Sequence, residues 1–132
     1  MSKQSDFITS IYSSAKSVSE KTGMSMELIL AQAAQETGWG MKVLSGTNNL
    51  FNIKADSSWT GKTATFTVKE YINGSYVDVN AVFRVYDSFE QSIEDRVSFL
   101  QSNPRYSNLF KSNILGNFEN EAKTLQSSGY AT

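Results

Sequence analysis

The sequence predicts an α+β fold, mainly α, in which a helical lobe carries one inserted β-hairpin lobe. Three observations lead there. Apolar residues recur at helical spacing up to Thr37 and again after Ser88. Between Thr63 and Tyr86 the spacing changes to period two around Asn73-Gly74, a strong signal for a two-residue hairpin turn. No repeat, low-complexity tract or linker divides the 132 residues, so a single domain over 1–132 is expected, with the hairpin lobe at about 63–86.

The first helix places Phe7, Ile8, Ile11, Tyr12, Ala15 and Val18 on one face, with Ser5 or Asp6 as N-cap and Gly23 as its stop. Next, Met26, Leu28, Ile29, Leu30, Ala31, Ala33 and Ala34 form a dense run of good helix formers that begins near Ser25 and ends at Thr37. This is the expected central helix. From Gly38 to Gly61 the texture turns to Gly, Ser, Asn and Trp around the apolar piece Leu50-Phe51-Asn52-Ile53, which reads as loops around a packed anchor. After the hairpin, helices are expected over Ser88–Gln101, Ser107–Leu115 and Asn117–Ser127, with Pro104 opening a fresh segment and Gly129 closing the last. A hairpin standing over the end of a central helix would make a cleft.

Composition narrows the chemistry. The chain has no histidine and no cysteine, which removes thiol nucleophiles, Ser-His and Cys-His pairs and imidazole or thiolate metal sites together. No metal or organic cofactor is expected. A net charge of −1 argues against nucleic acid as a partner, and no apolar run approaches the length needed for membrane insertion. The first residues also lack the apolar stretch of a secretory signal, so delivery is expected to depend on a feature outside this chain or on another protein.

Carboxylates, hydroxyls, amides and rings remain. Glu36 lies seven residues after Ile29 and three after Ala33, which puts its carboxyl group on the apolar face of the central helix. Burial there would keep it protonated, as a general acid requires. The bland reading, a last-turn glutamate reaching out to water, stays open on spacing alone. Glu70 shares the inward face of its strand with Phe66, Val68 and Ile72; it is either a second site carboxylate or a charge that discourages pairing at the hairpin edge. Glu90, Glu94 and Asp95 are expected on a solvent-facing surface. Trp39, Phe51, Trp59, Tyr86, Tyr106 and Tyr130 could wall a saccharide site, because sugar C–H faces pack on aromatic rings. Two inward carboxylates beside such rings suit glycoside hydrolysis.

Six motifs occur in order: AQAAQETGWG (31–40), NNLFNIKA (48–55), TVKEYING (67–74), FRVYDSFEQSIED (83–95), NPRY (103–106) and GYAT (129–132). With them the chain resembles the glucosaminidase domain of flagellar rod-cap muramidases and of bacterial and phage autolysins, glycoside hydrolase family 73. The resemblance implies a lysozyme-like helical lobe with a hairpin lobe. It also implies an endo-β-N-acetylglucosaminidase that cleaves the bond between N-acetylglucosamine and N-acetylmuramic acid in peptidoglycan. By the same resemblance Glu36 is the general acid and Glu70 a water-activating base, with Trp39, Asn49, Phe51, Tyr106 and Tyr130 contributing to substrate binding. The hairpin position of Glu70 predicts a carboxyl pair wide enough to admit water, hence inversion. Peptidoglycan glycan strands are then the partner, a monomer is expected, and action is expected at the cell wall. Two departures stand out: Asn52 occupies a place where glycine is usual, and the D-P-x-Y-A helix that usually comes after GYAT is absent here. The alternatives are a lytic transglycosylase or muramidase, and a non-catalytic peptidoglycan-binding phage structural module.

Overall fold

A computed structural model describes residues 2–130; Met1 and the last two residues of the GYAT motif, Ala131 and Thr132, lie outside the described residues. The first helix, α1 (Lys3–Thr22), starts one turn earlier than the sequence suggests, because the Ser2 side chain rather than Ser5 or Asp6 accepts the first-turn N–H of Ser5. It ends at Gly23 in the left-handed conformation expected of a helix stop. Phe7, Ile11, Ala15 and Val18 are buried as expected, whereas Tyr12 is exposed.

Ser25 caps α2 (Met26–Thr37), accepting from the Leu28 amide. A buried glutamate that the sequence did not single out holds this cap in place. Glu121, on α4 (Phe118–Ser127), is fully enclosed and accepts from the Ser25 amide at 3.1 Å, the Ser25 hydroxyl and the Gly116 amide at 2.9 Å. Three donors compensate the desolvation of its carboxylate, so its work is structural. It joins the last helix to the start of the helix that carries Glu36.

Strands β1 (Thr63–Ile72) and β2 (Ser75–Arg84) form one antiparallel hairpin in which Ile72 pairs with Ser75. Asn73 and Gly74 both have positive φ, 50° and 83°, the backbone that a type I′ turn demands. Beside the far end of β2 the chain 53–55 adds a short antiparallel bridge, Lys54 to Phe83. That bridge ties the NLFNIKA segment to the hairpin.

Helix α3 (Phe89–Ser102) packs against α1, and its Ile93, Val97 and Leu100 complete a core with Ile11, Leu28, Ile29, Ala33, Leu50, Leu109 and Leu125. The helix expected over Ser107–Leu115 is instead a 3₁₀ helix over Pro104–Phe110 followed by turns to Gly116. Asn103 caps it and Pro104 starts it, so the helix begins three residues sooner; seven residues suffice to bury Tyr106 and Leu109.

Asp95, expected on a solvent-facing surface, lies instead at the base of the hairpin. It is not a solvating charge: its Oδ2 accepts from Arg84 Nη1 at 2.8 Å and from the Tyr86 hydroxyl at 2.5 Å. Arg84 is itself buried, reaches Asp56 Oδ1 at 3.3 Å, and lies 5.0 Å from the centre of the Trp59 ring, which meets Tyr86 edge-on. This cluster fastens the base of the hairpin to α3. Glu90 and Glu94 do lie at the surface, both near Lys21.

Candidate active site

Glu36 occupies the last turn of α2, on the face carrying the buried Ile29 and Ala33. Its side chain is half-buried, so it is not sealed in an apolar pocket; it opens into a cleft. The TGWG run makes the tight turn that ends this helix. Thr37 Oγ1 donates to the Ala33 carbonyl and accepts the Gly40 amide at 2.8 Å, and Gly38 turns left-handed to end the helix. Gly40 has φ 88°, and a Cβ there would lie 2.5 Å from the Phe7 ring, so only glycine lets this turn close on α1.

The cleft, about 520 Å³, is lined by Glu36 together with Phe51, Lys54, Asp56, Tyr106 and Tyr130 among others. Phe51, Tyr106 and Tyr130, expected from three separate motifs, therefore meet on one wall with Glu36. Tyr106 and Tyr130 pack edge-on with ring centres 5.7 Å apart. Arg105 fixes this contact: its Nε donates to the Ser128 carbonyl at 2.6 Å and its Nη2 to the Gly129 carbonyl at 2.9 Å. Gly129 has φ 83°, a backbone conformation that favours glycine, and a Cβ there would have to displace the Arg105 guanidinium. Burial pushes the Tyr130 phenol above its usual range, and the charge of Arg96 pulls against that rise.

Other expected residues fall elsewhere. Trp39 has φ 60° directly after the left-handed Gly38, and this turn carries its indole toward Gln4, Ser5, Ile8 and Thr9 of α1 instead of into the cleft. Asn49 is fully buried: Nδ2 donates to the carbonyls of Ile53 and Arg84, and Oδ1 accepts the Ile53 amide. With both ends of its amide occupied, it ties the loop that carries Phe51 to the end of β2 and does not line the Glu36 cleft. Trp59 and Tyr86 belong to the hairpin base described above.

Glu70 faces the same side of β1 as Phe66 and Val68, as the alternation predicts, and is half-buried. It does not line the cleft itself. It is ion-paired with Lys54, which does, so a lysine stands between the hairpin carboxylate and the site. Ile72, expected on the buried side, is exposed near the hairpin tip.

Several site residues were not anticipated. Asn52, at the position where glycine is usual, has φ 54°, a conformation that asparagine tolerates, and its Nδ2 donates to the Glu36 carbonyl at 3.3 Å. The departure thus keeps the backbone shape and adds a tether to the helix end. Asp56 lies at the cleft rim, its carboxyl held below the usual range by hydrogen bonds from Ser58 and by Arg84. Arg96 is buried beside Phe51 and Tyr130. Its spacing, three residues after Ile93 and four before Leu100, is the charge-on-an-apolar-stripe signal that drew attention to Glu36, and could have found it.

A carboxyl group at the end of a central helix, facing a ring-lined cleft beside a hairpin, can transfer a proton to a bound saccharide. The lobes are arranged as in lysozyme-like glycoside hydrolase domains. Within that class, the chain belongs to the glucosaminidase family, whose model, described as mannosyl-glycoprotein endo-beta-N-acetylglucosaminidase, matches residues 12–132. The peptidoglycan hydrolase FlgJ of Vibrio cholerae is 44% identical over 131 residues, which cover 96% of this chain and 38% of that protein. A probable N-acetylmuramidase of Lactococcus lactis is 37% identical over 114 residues, covering 81% of this chain and 26% of the relative. Among solved structures, the glycoside hydrolase domain of Salmonella typhimurium FlgJ superposes with a TM-score of 0.81 at 34% identity, covering 99% of this chain and 79% of that one. The catalytic domain of the Listeria monocytogenes autolysin Auto gives 0.83 at 29% identity, covering 100% and 77%. The chain thus spans well under half the length of the curated relatives it matches.

Proposed function

We propose that this chain hydrolyses peptidoglycan as an endo-β-N-acetylglucosaminidase, cutting between N-acetylglucosamine and N-acetylmuramic acid, with Glu36 as the general acid. The observation that carries the reading is the half-buried Glu36 in a cleft walled by Phe51, Tyr106 and Tyr130. Glu36 gives its proton to the glycosidic oxygen as the bond to the anomeric carbon breaks, and the rings pack on the sugar faces. A water molecule then supplies hydroxide to the anomeric carbon. Glu70 is the proposed base for that water, once its carboxylate leaves Lys54 and turns toward the cleft.

Glu36→Gln keeps the shape of the side chain and removes the proton. We expect an unchanged circular dichroism spectrum and a fall in lytic rate of about 10²–10⁴-fold. Clearing of cell-wall suspensions at the parental rate would sink the assignment. Bond specificity is read by mass spectrometry of the digest, where reducing N-acetylglucosamine ends are expected. The relatives carry both hydrolase and muramidase names, so this measurement separates the readings.

One observation favours a second mechanism: Glu36 and Asp56 line the cleft, whereas Glu70 is held outside it by Lys54. A single-glutamate reaction, either assisted by the substrate's acetamido group or forming 1,6-anhydromuramic ends as a lytic transglycosylase does, would not need Glu70. NMR of the first-formed anomer discriminates: inversion supports Glu70 as base, and retention removes it from that role. Anhydro ends in the digest would identify the transglycosylase.

A further inference from the structure

Arg96 sits on the apolar stripe of α3 and is 3% exposed. Its guanidinium lies between two rings, with Cζ 4.5 Å from the centre of Phe51 and 4.6 Å from that of Tyr130. Nη2 donates to Gln32 Oε1, while Nε and Nη1 have no hydrogen-bond partner. Among the described residues no carboxylate forms an ion pair with it.

Enclosing a cation without a counter-ion is costly, and the two ring contacts offset only part of that cost. An apolar side chain would fill this space at lower cost. The charge therefore calls for a reason other than stability, and its neighbours point to one. Gln32 lies one helical turn before Glu36 on the same face of α2, and both rings that flank the guanidinium line the Glu36 cleft. Burial works against the charged form of Arg96, and the negative charge of Glu36 is among the groups that favour it.

We infer that Arg96 is a positioning residue for Glu36: its buried charge stabilises the carboxylate left on Glu36 when the proton passes to the glycosidic oxygen, and its flat faces hold Phe51 and Tyr130 at the cleft wall. The inference rests on Glu36 being the proton donor. The bond between the glycosidic oxygen and the anomeric carbon breaks as the O–H bond forms. The positive charge left at the anomeric carbon matches the negative charge on Glu36 until water adds and gives up its own proton. Glu36 loses one proton and gains one negative charge, the leaving oxygen gains the proton, and Arg96 keeps its own protons throughout.

The test separates charge from packing. Arg96→Met places an unbranched apolar chain of comparable length between the rings, so its melting temperature should equal or exceed the parental value. Its kcat on solubilised glycan strands should fall by about a hundredfold with KM within about twofold, because the lost interaction belongs to the transition state. Arg96→Lys, which keeps the charge, should recover about tenfold of that loss. A purely structural residue would instead lose melting temperature and activity together. Parental kcat in Arg96→Met, or a loss no larger than the loss of folded protein, overturns the inference. If Arg96→Met does not fold, Arg96→Gln takes its place, and equal kcat in the Lys and Gln variants at matched stability overturns it. Glu36→Gln measured alongside separates the two readings: an active Glu36→Gln removes both, whereas an inactive one beside a fully active Arg96→Met removes only the role of Arg96.

Discussion

Along the helical lobe, Ile11, Ile93, Leu100 and Leu109 are completely enclosed, whereas the outer part of the hairpin leaves Tyr71, Ile72, Tyr76 and Val77 exposed. The helical lobe is held by apolar burial distributed over α1, α2, α3 and α4. The hairpin is held at its base, by Arg84, Asp95, Tyr86 and Trp59, and by the short bridge to Lys54. An isolated two-stranded hairpin is marginal in water, so these base contacts decide whether it stands. The two proposed catalytic carboxylates divide between these regimes. Glu36 ends a helix on the face that carries the core residues Ile29 and Ala33, while Glu70 rides on the part of the hairpin beyond its anchor. A proton donor needs fixed geometry, whereas a residue that must leave Lys54 to meet water needs freedom to move.

The contrast can be broken at several points. Leu100→Ala should destabilise the domain by about 2–5 kcal/mol in denaturant titration, because it empties part of the shared core. Asp95→Asn acts on the hairpin base. It removes the carboxylate that meets the buried Arg84, and should cost about 1–3 kcal/mol in the same titration. Hydrogen exchange should locate that loss in 63–84, with the α1–α3 amides still protected.

The base also predicts a response to alkali. Burial, with Asp95 as hydrogen-bond partner, raises the Tyr86 phenol well above its ordinary value near 10, so the folded protein holds a proton that the unfolded chain gives up. Stability from this group is complete below about pH 10 and declines as pH rises above it. Thermal melts of Tyr86→Phe should show a weaker decline between pH 9 and pH 11 than the parent, in the range set by that ordinary value. The smallest effect belongs to the tip: Tyr76→Ala should change stability by no more than about 0.5 kcal/mol, since the ring is exposed and meets Tyr71 edge-on. A loss as large as that of Leu100→Ala would mean that the hairpin shares the core's cooperativity.

Much of this was legible in local signals. Gly23 and Gly38 stop helices, Ser25 caps one, Asn73-Gly74 turns the hairpin and alternation puts Glu70 on the side of Phe66, each because the backbone conformation is dictated by residues within one turn. Partners distant in sequence were not legible. Asp95 reads as a surface charge until Arg84 and Tyr86 arrive from the hairpin, and Asn49 reads as a cleft residue until Ile53 and Arg84 occupy its amide. Trp39 lies beside α1 rather than in the Glu36 cleft for a local reason, the two left-handed residues at the end of α2.

The sequence by itself determined the fold class, the order of its elements and the face of α2 on which Glu36 lies, because helical and strand periodicities and turn chemistry are short-range. Only the tertiary structure decided which rings Glu36 meets, that Lys54 holds Glu70, and that Arg96 is enclosed between Phe51 and Tyr130. Those facts depend on packing between α2, α3, the loop 48–55 and the segment that ends at Tyr130, and such contacts have no period along the chain to be read.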